Sequence, residues 1–184
     1  MNNKTIRIQE LTKMFIGIEI PDDVREQIRI QLEGYTKYTK KLVEEENWHV
    51  KMLSIGEIEG HDQFIESLSA EMPQSFLSTL SLTHIGKGPQ RQQLWAFVNP
   101  TPLLDTLQKQ LIGRLDSLNI KPTQDTNFIP HIKLADLRVG SSNNLLADIP
   151  MPAIWPIKKL SIYRSDLSHR QESYTVMGHI NLSA

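Results

Sequence analysis

One short pattern occurs twice in the sequence, once in each half of the chain. Each copy contains a histidine, a β-branched aliphatic residue, a lysine and a long aliphatic residue, starting at His49 and at His131. Because alternate side chains of a β-strand share one face, His49 is predicted to face the same way as Lys51, and His131 the same way as Lys133. The pattern therefore predicts two strands that bring two imidazoles and two ammonium groups into one small cationic pocket.

Composition narrows the class of protein. The formal net charge of −1 and the pI of about 6.6 exclude a globally basic nucleic-acid binder, so contact with a polyanion requires a local patch. With no cysteine, the chain can form no disulfide, thiolate nucleophile or cysteine-bound metal site. The most apolar run near the start, residues 14–20, is short and contains Glu19, which is not typical of a signal peptide or a membrane span. We expect a cytoplasmic monomer without membrane association.

The hydrophobic pattern predicts an α+β fold. The 184 residues fit a single domain at 14–184, bilobed and preceded by a polar extension at 1–13. Helices are predicted from Pro21, over 63–72, and from Pro102 after an N-cap at Thr101. Besides the two histidine strands, strands are predicted at 14–20, 94–98, 160–164 and 174–182, and one or two strands at 76–85. A solvated loop or helix end is predicted at 37–46, and a long loop at 140–156. Each half places a histidine strand beside a helix, which favours two sheets with pseudo-two-fold symmetry facing each other across a groove.

Two imidazoles that face each other suit acid–base catalysis. One can remove a proton from a nucleophile while the other donates a proton to the leaving group, since an ordinary pKa of about 6.5 allows either state near neutral pH. Lys51 and Lys133 would attract an anion such as a phosphodiester and stabilise charge on its non-bridging oxygens. A zinc site is the competing chemistry, but it needs a third ligand and the lysines disfavour a cation. No metal and no cofactor are predicted.

The other histidines and the aromatic residues have less support from the sequence as functional residues. Four further histidines lack a partnering pattern and are predicted to be surface or structural residues: His61, His84, His169 and His179. Three tryptophans are predicted to lie in the core: Trp48, Trp95 and Trp155. Phe128, three residues before His131, is the better candidate for stacking on a base. The sequence has neither a glycine-rich phosphate loop nor a Gly-x-Ser-x-Gly elbow, which disfavours P-loop and serine-hydrolase chemistry.

Together these motifs resemble the two-histidine phosphoesterase superfamily, and within it the bacterial and archaeal RNA 2′,3′-cyclic phosphodiesterases, long called 2′-5′ RNA ligases. The resemblance covers nearly the whole chain from Met14, over residues 14–21, 47–57, 94–98, 128–135, 163–167 and 174–176. It implies a bilobed domain of two antiparallel sheets around a central groove, with the helices outside. It also implies hydrolysis of a 2′,3′-cyclic phosphate on RNA or small nucleotides to a 2′-phosphate, without ATP or metal, and a reversible 2′-5′ joining activity.

The resemblance also implies roles for individual residues. His49 would donate a proton to the leaving 3′ oxygen, and His131 would accept a proton from water. The family carries Thr or Ser two residues after each histidine, whereas this chain has Lys51 and Lys133, which we assign to phosphate binding. Asp136 stands where a basic residue is common in the family.

Three further residues are candidate substrate contacts: Phe128, Arg138 and Arg164. The two lysines leave an alternative function open, namely an RNA-end or phosphate-binding module that binds anions without turning them over. A third interpretation makes the histidine–lysine pairs structural, with a function unrelated to phosphate.

Overall fold

The computed structural model describes residues 11–59, 61–70, 78–89, 92–123, 128–139, 148–168 and 171–182. The strands of these ranges are β1 Thr12–Glu19, β2 Thr39–Leu42, β3 His49–Ile58, β4 Ser78–Lys87, β5 Gln93–Val98, β6 His131–Leu137, β7 Ile149–Ile157, β8 Lys159–Ser168 and β9 Gln171–Asn181. The α-helices are α1 Asp22–Leu32, α2 His61–Ala70 and α3 Pro102–Ser117, and short 3₁₀ turns cover Glu33–Tyr38 and Glu45–Asn47.

The strands form two antiparallel sheets, which confirms the predicted α+β fold. One sheet has the order β3-β1-β8-β9 and the other the order β2-β6-β5-β4-β7. The two sheets approach each other along β3 and β6. Both of these strands begin at a histidine of the repeated pattern, His49 in β3 and His131 in β6. The repeat therefore occupies equivalent positions at the place where the two sheets meet.

Strand β1 shows how alternate residues divide a sheet into a face against the hydrophobic core and a face that carries His49. Met14, Ile16 and Ile18 are buried in the hydrophobic core, as expected for every second residue of a strand with one face against that core. Phe15 and Gly17, which alternate with them, face the side that carries His49. β1 begins at Thr12, so the regular structure starts before the predicted position at Met14.

The helices α1 and α3 begin where their local sequence predicts. The Thr101 hydroxyl accepts a hydrogen bond from the Leu104 amide at 3.3 Å and caps α3, whose first helical residue is Pro102. In α1 the residues at helical spacing, Val24, Ile28 and Leu32, are buried. Among the described residues, no helix is long and apolar enough to cross a membrane.

Two predicted loops are wrong in part. Residues 149–157 form strand β7 rather than a loop, with Met151, Ala153, Trp155 and Ile157 buried and the residues between them facing the other side. Three prolines at exposed positions suggested a loop, but an edge strand tolerates proline because its outer amides have no ladder partner. The predicted loop at 37–46 contains strand β2, which pairs with β6. Parts of other predictions lie outside the described residues: 1–10 of the polar extension, 71–72 at the end of the second predicted helix, 76–77 at the start of a predicted strand, 140–147 of the predicted loop at 140–156, and His169.

Candidate functional site

The repeated pattern has the predicted alternation of faces. Val50 and Met52 on β3 and Ile132 on β6 are buried, whereas both histidines are half-buried. The two imidazoles are close enough that a positive charge on His131 lowers the pKa of His49. The two copies of the pattern therefore contribute to one site between the sheets.

Each histidine is held by the same local hydrogen bond. The Nδ1 atom of His49 lies 2.7 Å from the Asn47 carbonyl oxygen, and Nδ1 of His131 lies 2.6 Å from the Ile129 carbonyl oxygen. Because a carbonyl oxygen only accepts, Nδ1 must carry the proton and donate it. The neutral form of each ring therefore keeps its lone pair on Nε2. Both rings can use Nε2 to exchange protons while Nδ1 stays bonded to the backbone.

The His49 ring is enclosed by aromatic side chains. Its centroid lies 4.7 Å from that of Phe15, 5.3 Å from Tyr163 and 5.1 Å from Tyr174, with Tyr174 edge-on. Burial among these rings lowers the pKa of His49 to about 4, and the positive charges of Lys51, His131 and Arg25 act in the same direction, partly offset by the bond to the Asn47 carbonyl. In the free protein, His49 is therefore neutral at pH 7.

Asn47 and Arg25 fix the segment that leads into His49. The Asn47 side chain accepts a hydrogen bond from the Tyr174 amide at 3.1 Å, while its backbone oxygen holds His49. The Arg25 guanidinium donates to the carbonyl of Ile20 at 2.8 Å and also to the carbonyl of Glu45. These bonds tie the start of β3 to β9 and to the start of α1, so the position of His49 depends on elements distant in the sequence.

Gly17 lies directly under the His49 ring. A Cβ atom at Gly17 would lie 3.2 Å from Cδ2 of His49, 3.2 Å from Cε2 of Tyr163 and 3.1 Å from the Val50 carbonyl oxygen. These separations are shorter than an ordinary van der Waals contact, so a methyl group would displace the rings by a few tenths of an ångström. The absence of a side chain at Gly17 is thus part of how His49 is positioned.

The His131 ring is held by a different aromatic contact. It stacks on Trp95 with 3.5 Å between ring centroids and 13° between planes. The Trp95 indole donates to the Gln93 side chain at 3.0 Å, and a Cβ atom at Gly88 would lie only 2.6 Å from the indole ring. Trp95 is buried, as predicted, but its position between His131 and Gly88 also orients an imidazole. No pattern in the sequence indicates this second role.

Gly88→Ala is expected to disturb His131 without touching it. The added methyl group overlaps the Trp95 indole, and a shift of the indole changes the stack that it makes with the His131 imidazole. For the phosphodiesterase activity that the resemblance implies, displacement of His131 by a fraction of an ångström should lower kcat about tenfold to a hundredfold, with a smaller effect on KM. Steady-state hydrolysis of a 2′,3′-cyclic nucleotide measures the effect.

Gly34→Ala is the matched control for this change, because a Cβ atom at Gly34 would meet no heavy atom within 4 Å. Equal kcat values for Gly88→Ala, Gly34→Ala and the wild type would contradict the role of the Trp95 stack.

The two lysines have different surroundings. Lys51 is exposed, and its Nζ atom lies over the Phe15 ring at 5.1 Å from the centroid, a cation–π contact. Lys133 forms an ion pair with Asp136, with 2.9 Å between Nζ and Oδ1. Asp136, which stands where a basic residue is common in the family, thus pairs with Lys133, which stands where the family carries Thr or Ser. Part of the charge that Lys133 could offer an anion is offset by this carboxylate.

A polar network lies next to His49 on the same sheet. Glu19 is the cross-strand partner of His49, and its carboxylate accepts from the Ser161 hydroxyl at 2.5 Å and pairs with Lys159 at 3.3 Å. Burial raises the pKa of Glu19, but the Ser161 hydroxyl, Lys159 and His179 together hold it below its ordinary value. The Nδ1 atom of His179 lies 3.0 Å from the Ser161 oxygen. His179 thus has local structural partners, in agreement with its predicted role.

The three candidate substrate contacts lie in different places. Phe128 is half-buried and packs against the hydrophobic core. Arg138 follows β6 at the end opposite His131, and its Nε atom donates to the Thr39 carbonyl at 3.0 Å. Arg164 pairs with Asp166 at 2.8 Å, and its cross-strand partner on β1 is the buried Met14 rather than Phe15. The structure therefore brings neither arginine next to the two histidines.

Within the described part of the chain, no group of three or more His, Asp or Glu side chains is arranged to hold a metal ion. The chemistry available to the site consists of two imidazoles with matched tautomers, two lysines and the surrounding rings. This combination can bind an oxyanion and move protons on and off its oxygen atoms.

The fold is shared with E. coli LigT, and the resemblance stated from the sequence is confirmed as a likeness in fold. The chain superimposes on the apo crystal structure of E. coli LigT with a TM-score of 0.79 and 20% identity, covering 95% of this chain and 99% of LigT. It superimposes on the crystal structure of TT0787 of Thermus thermophilus with a TM-score of 0.78 and 20% identity, covering 92% of this chain and 97% of the other.

Sequence comparison agrees with the fold. A curated protein of Methanocaldococcus jannaschii, named RNA 2′,3′-cyclic phosphodiesterase, is 23% identical over 139 residues, which cover 74% of this chain and 78% of that protein. No protein-family model matches the chain.

Proposed function

We propose that the protein hydrolyses 2′,3′-cyclic phosphates of RNA or small nucleotides to 2′-phosphates, with His49 as the acid and His131 as the base. The observation that carries the proposal is the matched pair of imidazoles. Each begins a strand where the two sheets meet, and each is bonded through Nδ1 to the carbonyl two residues before it. Both therefore offer Nε2 for proton transfer.

The proton transfers of the reaction can be assigned to these two atoms. A water molecule forms a bond to phosphorus while Nε2 of His131 takes one of its protons. The bond between phosphorus and the 3′ oxygen breaks, and Nε2 of His49 donates a proton to that oxygen. The product is a 2′-phosphate with a free 3′ hydroxyl. The same steps with an RNA 5′ hydroxyl in place of water would form a 2′-5′ bond, and their reverse would break it.

An acid role for His49 requires its pKa to rise when substrate binds. Its pKa of about 4 leaves the free imidazole neutral at pH 7. A phosphate anion beside the ring stabilises the imidazolium form and raises the pKa. The substrate would thereby help to charge the acid that acts on it, and Lys51 and Lys133 would hold that anion in place.

Two similarities support this substrate class. The Methanocaldococcus jannaschii relative carries the name RNA 2′,3′-cyclic phosphodiesterase. E. coli LigT, whose fold this chain shares, has been crystallised with 3′-AMP and with phosphate. Both similarities favour a nucleotide phosphate as the ligand between the histidines.

The test is incubation of the purified protein with 2′,3′-cyclic CMP and with a short RNA that ends in a cyclic phosphate. Phosphorus NMR distinguishes a 2′-phosphate from a 3′-phosphate product. We expect only the 2′-phosphate to appear, in the presence of a chelator as well as without it. Turnover no faster than that of the double variant His49→Ala, His131→Ala would remove the proposal.

The second candidate function is an RNA-end or phosphate-binding module without turnover. It is favoured by the lysines at both hydroxyl positions, since Lys51 and Lys133 supply charge rather than a neutral hydrogen bond. This module would bind phosphate in a salt-dependent manner, and its binding would survive His49→Ala but weaken with Lys51→Ala.

Asp136→Asn tests whether Lys133 contacts phosphate under either function. Removing the carboxylate that pairs with Lys133 should tighten binding of inorganic phosphate about twofold to fivefold at low salt, the range expected for a half-exposed ion pair. Isothermal titration measures the dissociation constant.

Glu66→Gln on the exposed face of α2 removes the same charge elsewhere, so it controls for the change in net charge. Unchanged phosphate affinity in Asp136→Asn, or an equal gain in Glu66→Gln, would show that Lys133 does not bind the anion.

A further inference from the structure

An aromatic row extends from His131 across the second sheet. Phe97 on β5 is the cross-strand partner of His131, His84 on β4 is the partner of Phe97, and Pro150 on β7 is the partner of His84. Directly opposed residues of antiparallel strands project from the same face of the sheet. The face that carries His131 therefore carries these three flat side chains as well.

The outer part of this row is open to solvent. The Phe97 and His84 rings stack with 4.5 Å between centroids and 14° between planes. Phe97 is half-buried and the His84 side chain is 32% exposed. Trp95, by contrast, is enclosed between His131 and Gly88 and is not available for stacking. The aromatic rings of the row that reach solvent are thus those of Phe97 and His84, with the exposed Pro150 beyond them.

Local contacts hold His84 in this orientation. The Thr83 hydroxyl lies 2.9 Å from His84 Nδ1 and donates to the Phe97 carbonyl at 3.3 Å. Because the hydroxyl proton is used in that bond, Nδ1 of His84 is the donor to the Thr83 oxygen. A ring that is fixed in advance loses little conformational entropy when a flat ligand stacks on it.

We propose that Phe97 and His84 form a stacking site for a nucleobase of a single-stranded RNA whose cyclic phosphate lies at the histidine pair. Exposed aromatic side chains on a sheet face are a common way of binding unpaired bases. This proposal rests on the proposed function, in which the cyclic phosphate at the end of the same RNA binds between the two histidines. The ligand is therefore a single-stranded RNA long enough to place a base on Phe97 and His84 while its phosphate end lies at the histidines.

The distribution of charge fixes the direction of the strand. His131 and Lys133 lie at the end of the row that meets the other sheet, whereas the Asp148 carboxylate lies 3.9 Å from His84 Nε2 at the other end. A carboxylate repels a phosphate but can accept a hydrogen bond from a base amino group. Since two strand spacings separate β6 from β4, His131 and His84 are about 10 Å apart. Phosphate therefore belongs at the histidine end and a base at the His84 end.

The test uses a fluorescein-labelled RNA trinucleotide with a terminal 2′-phosphate, the product of the proposed reaction, so that binding is measured without turnover. Three further trinucleotides each carry an abasic ribose at one position. Anisotropy should show that His84→Ala weakens binding of the complete trinucleotide about tenfold. The loss should vanish for one of the abasic ligands, since the base that stacks on the row is then missing.

His84→Phe is the matched control, because it keeps a ring at the same place and should bind almost as tightly as the wild type. Equal binding by His84→Ala and the wild type would overturn the proposal, and so would a loss of the same size with every abasic ligand. Binding of the trinucleotide that depends on His84, without hydrolysis of its cyclic form, would leave the stacking site standing and remove the proposed function. Hydrolysis of the cyclic form, together with trinucleotide binding that does not depend on His84, would leave the proposed function standing and remove the stacking site.

Discussion

Alanine at His131 or at His49 is expected to lower kcat/KM for hydrolysis of 2′,3′-cyclic CMP about 10²-fold to 10⁴-fold, the usual contribution of a positioned acid or base. Each change removes one proton-transfer group and leaves the lysines and the other ring in place. Because the acid and the base act in one step, the double variant should lose little more than the worse single variant. Initial rates measured over a range of substrate concentrations give the comparison.

His179→Ala is the control for these variants. It removes an imidazole from the sheet that carries His49. The His179 ring bonds to Ser161 and has no role in the proposed proton transfers. We expect this variant to retain most of the wild-type kcat/KM. Losses that multiply fully in the double variant would indicate that the two histidines act independently, which the proposed mechanism does not allow.

The second large effect concerns stability at acidic pH. His49 has a pKa of about 4 in the folded protein, lowered chiefly by burial, against about 6.5 in an unfolded chain. The stability linked to this group is present in full above pH 6.5 and is lost as the pH falls toward 4, since only the unfolded state then binds the proton. At about 1.4 kcal/mol per unit of pKa, the loss between pH 7 and pH 4 is about 3 kcal/mol.

Urea denaturation of the wild type and of His49→Gln at pH 7 and at pH 4 isolates this contribution, because the other titrating groups are common to both proteins. The free energy of unfolding of the wild type should fall by about 3 kcal/mol more than that of the variant over this range. An equal fall in both proteins would mean that the His49 ring is not desolvated as its aromatic surroundings indicate.

Much of this site could be predicted from the sequence because strand geometry is local. Side chains alternate between the two faces of a strand, which predicted that His49 and Lys51 share one face and that Val50 lies on the other. The repeated pattern predicted a second strand of the same kind at His131. Strand β7 could not be predicted in the same way. Its prolines are typical of loops, and their alternation with buried residues becomes meaningful only when the strand is known to lie at the edge of a sheet.

The groups that orient the histidines were missed for a different reason. Gly17 lies under His49, and Trp95 stacks on His131, because of the register between neighbouring strands, which no single segment of sequence specifies. The pair between Lys133 and Asp136 likewise depends on the irregular pairing of β5 with β6. Sequence patterns therefore identified the two histidines to which we assign proton transfer, but not the groups that hold them. They also did not predict that Arg138 bonds to the Thr39 carbonyl and that Arg164 pairs with Asp166.

The proposed mechanism requires His49 to meet a phosphate bound between the two imidazoles. Proton NMR of the His49 ring, titrated from pH 3.5 to pH 7 with and without inorganic phosphate, measures this contact directly. We predict a pKa of about 4 for the free protein and a rise of about one unit or more when phosphate is bound. The same pKa in both titrations, at phosphate concentrations that saturate the protein, would contradict a phosphate site at His49.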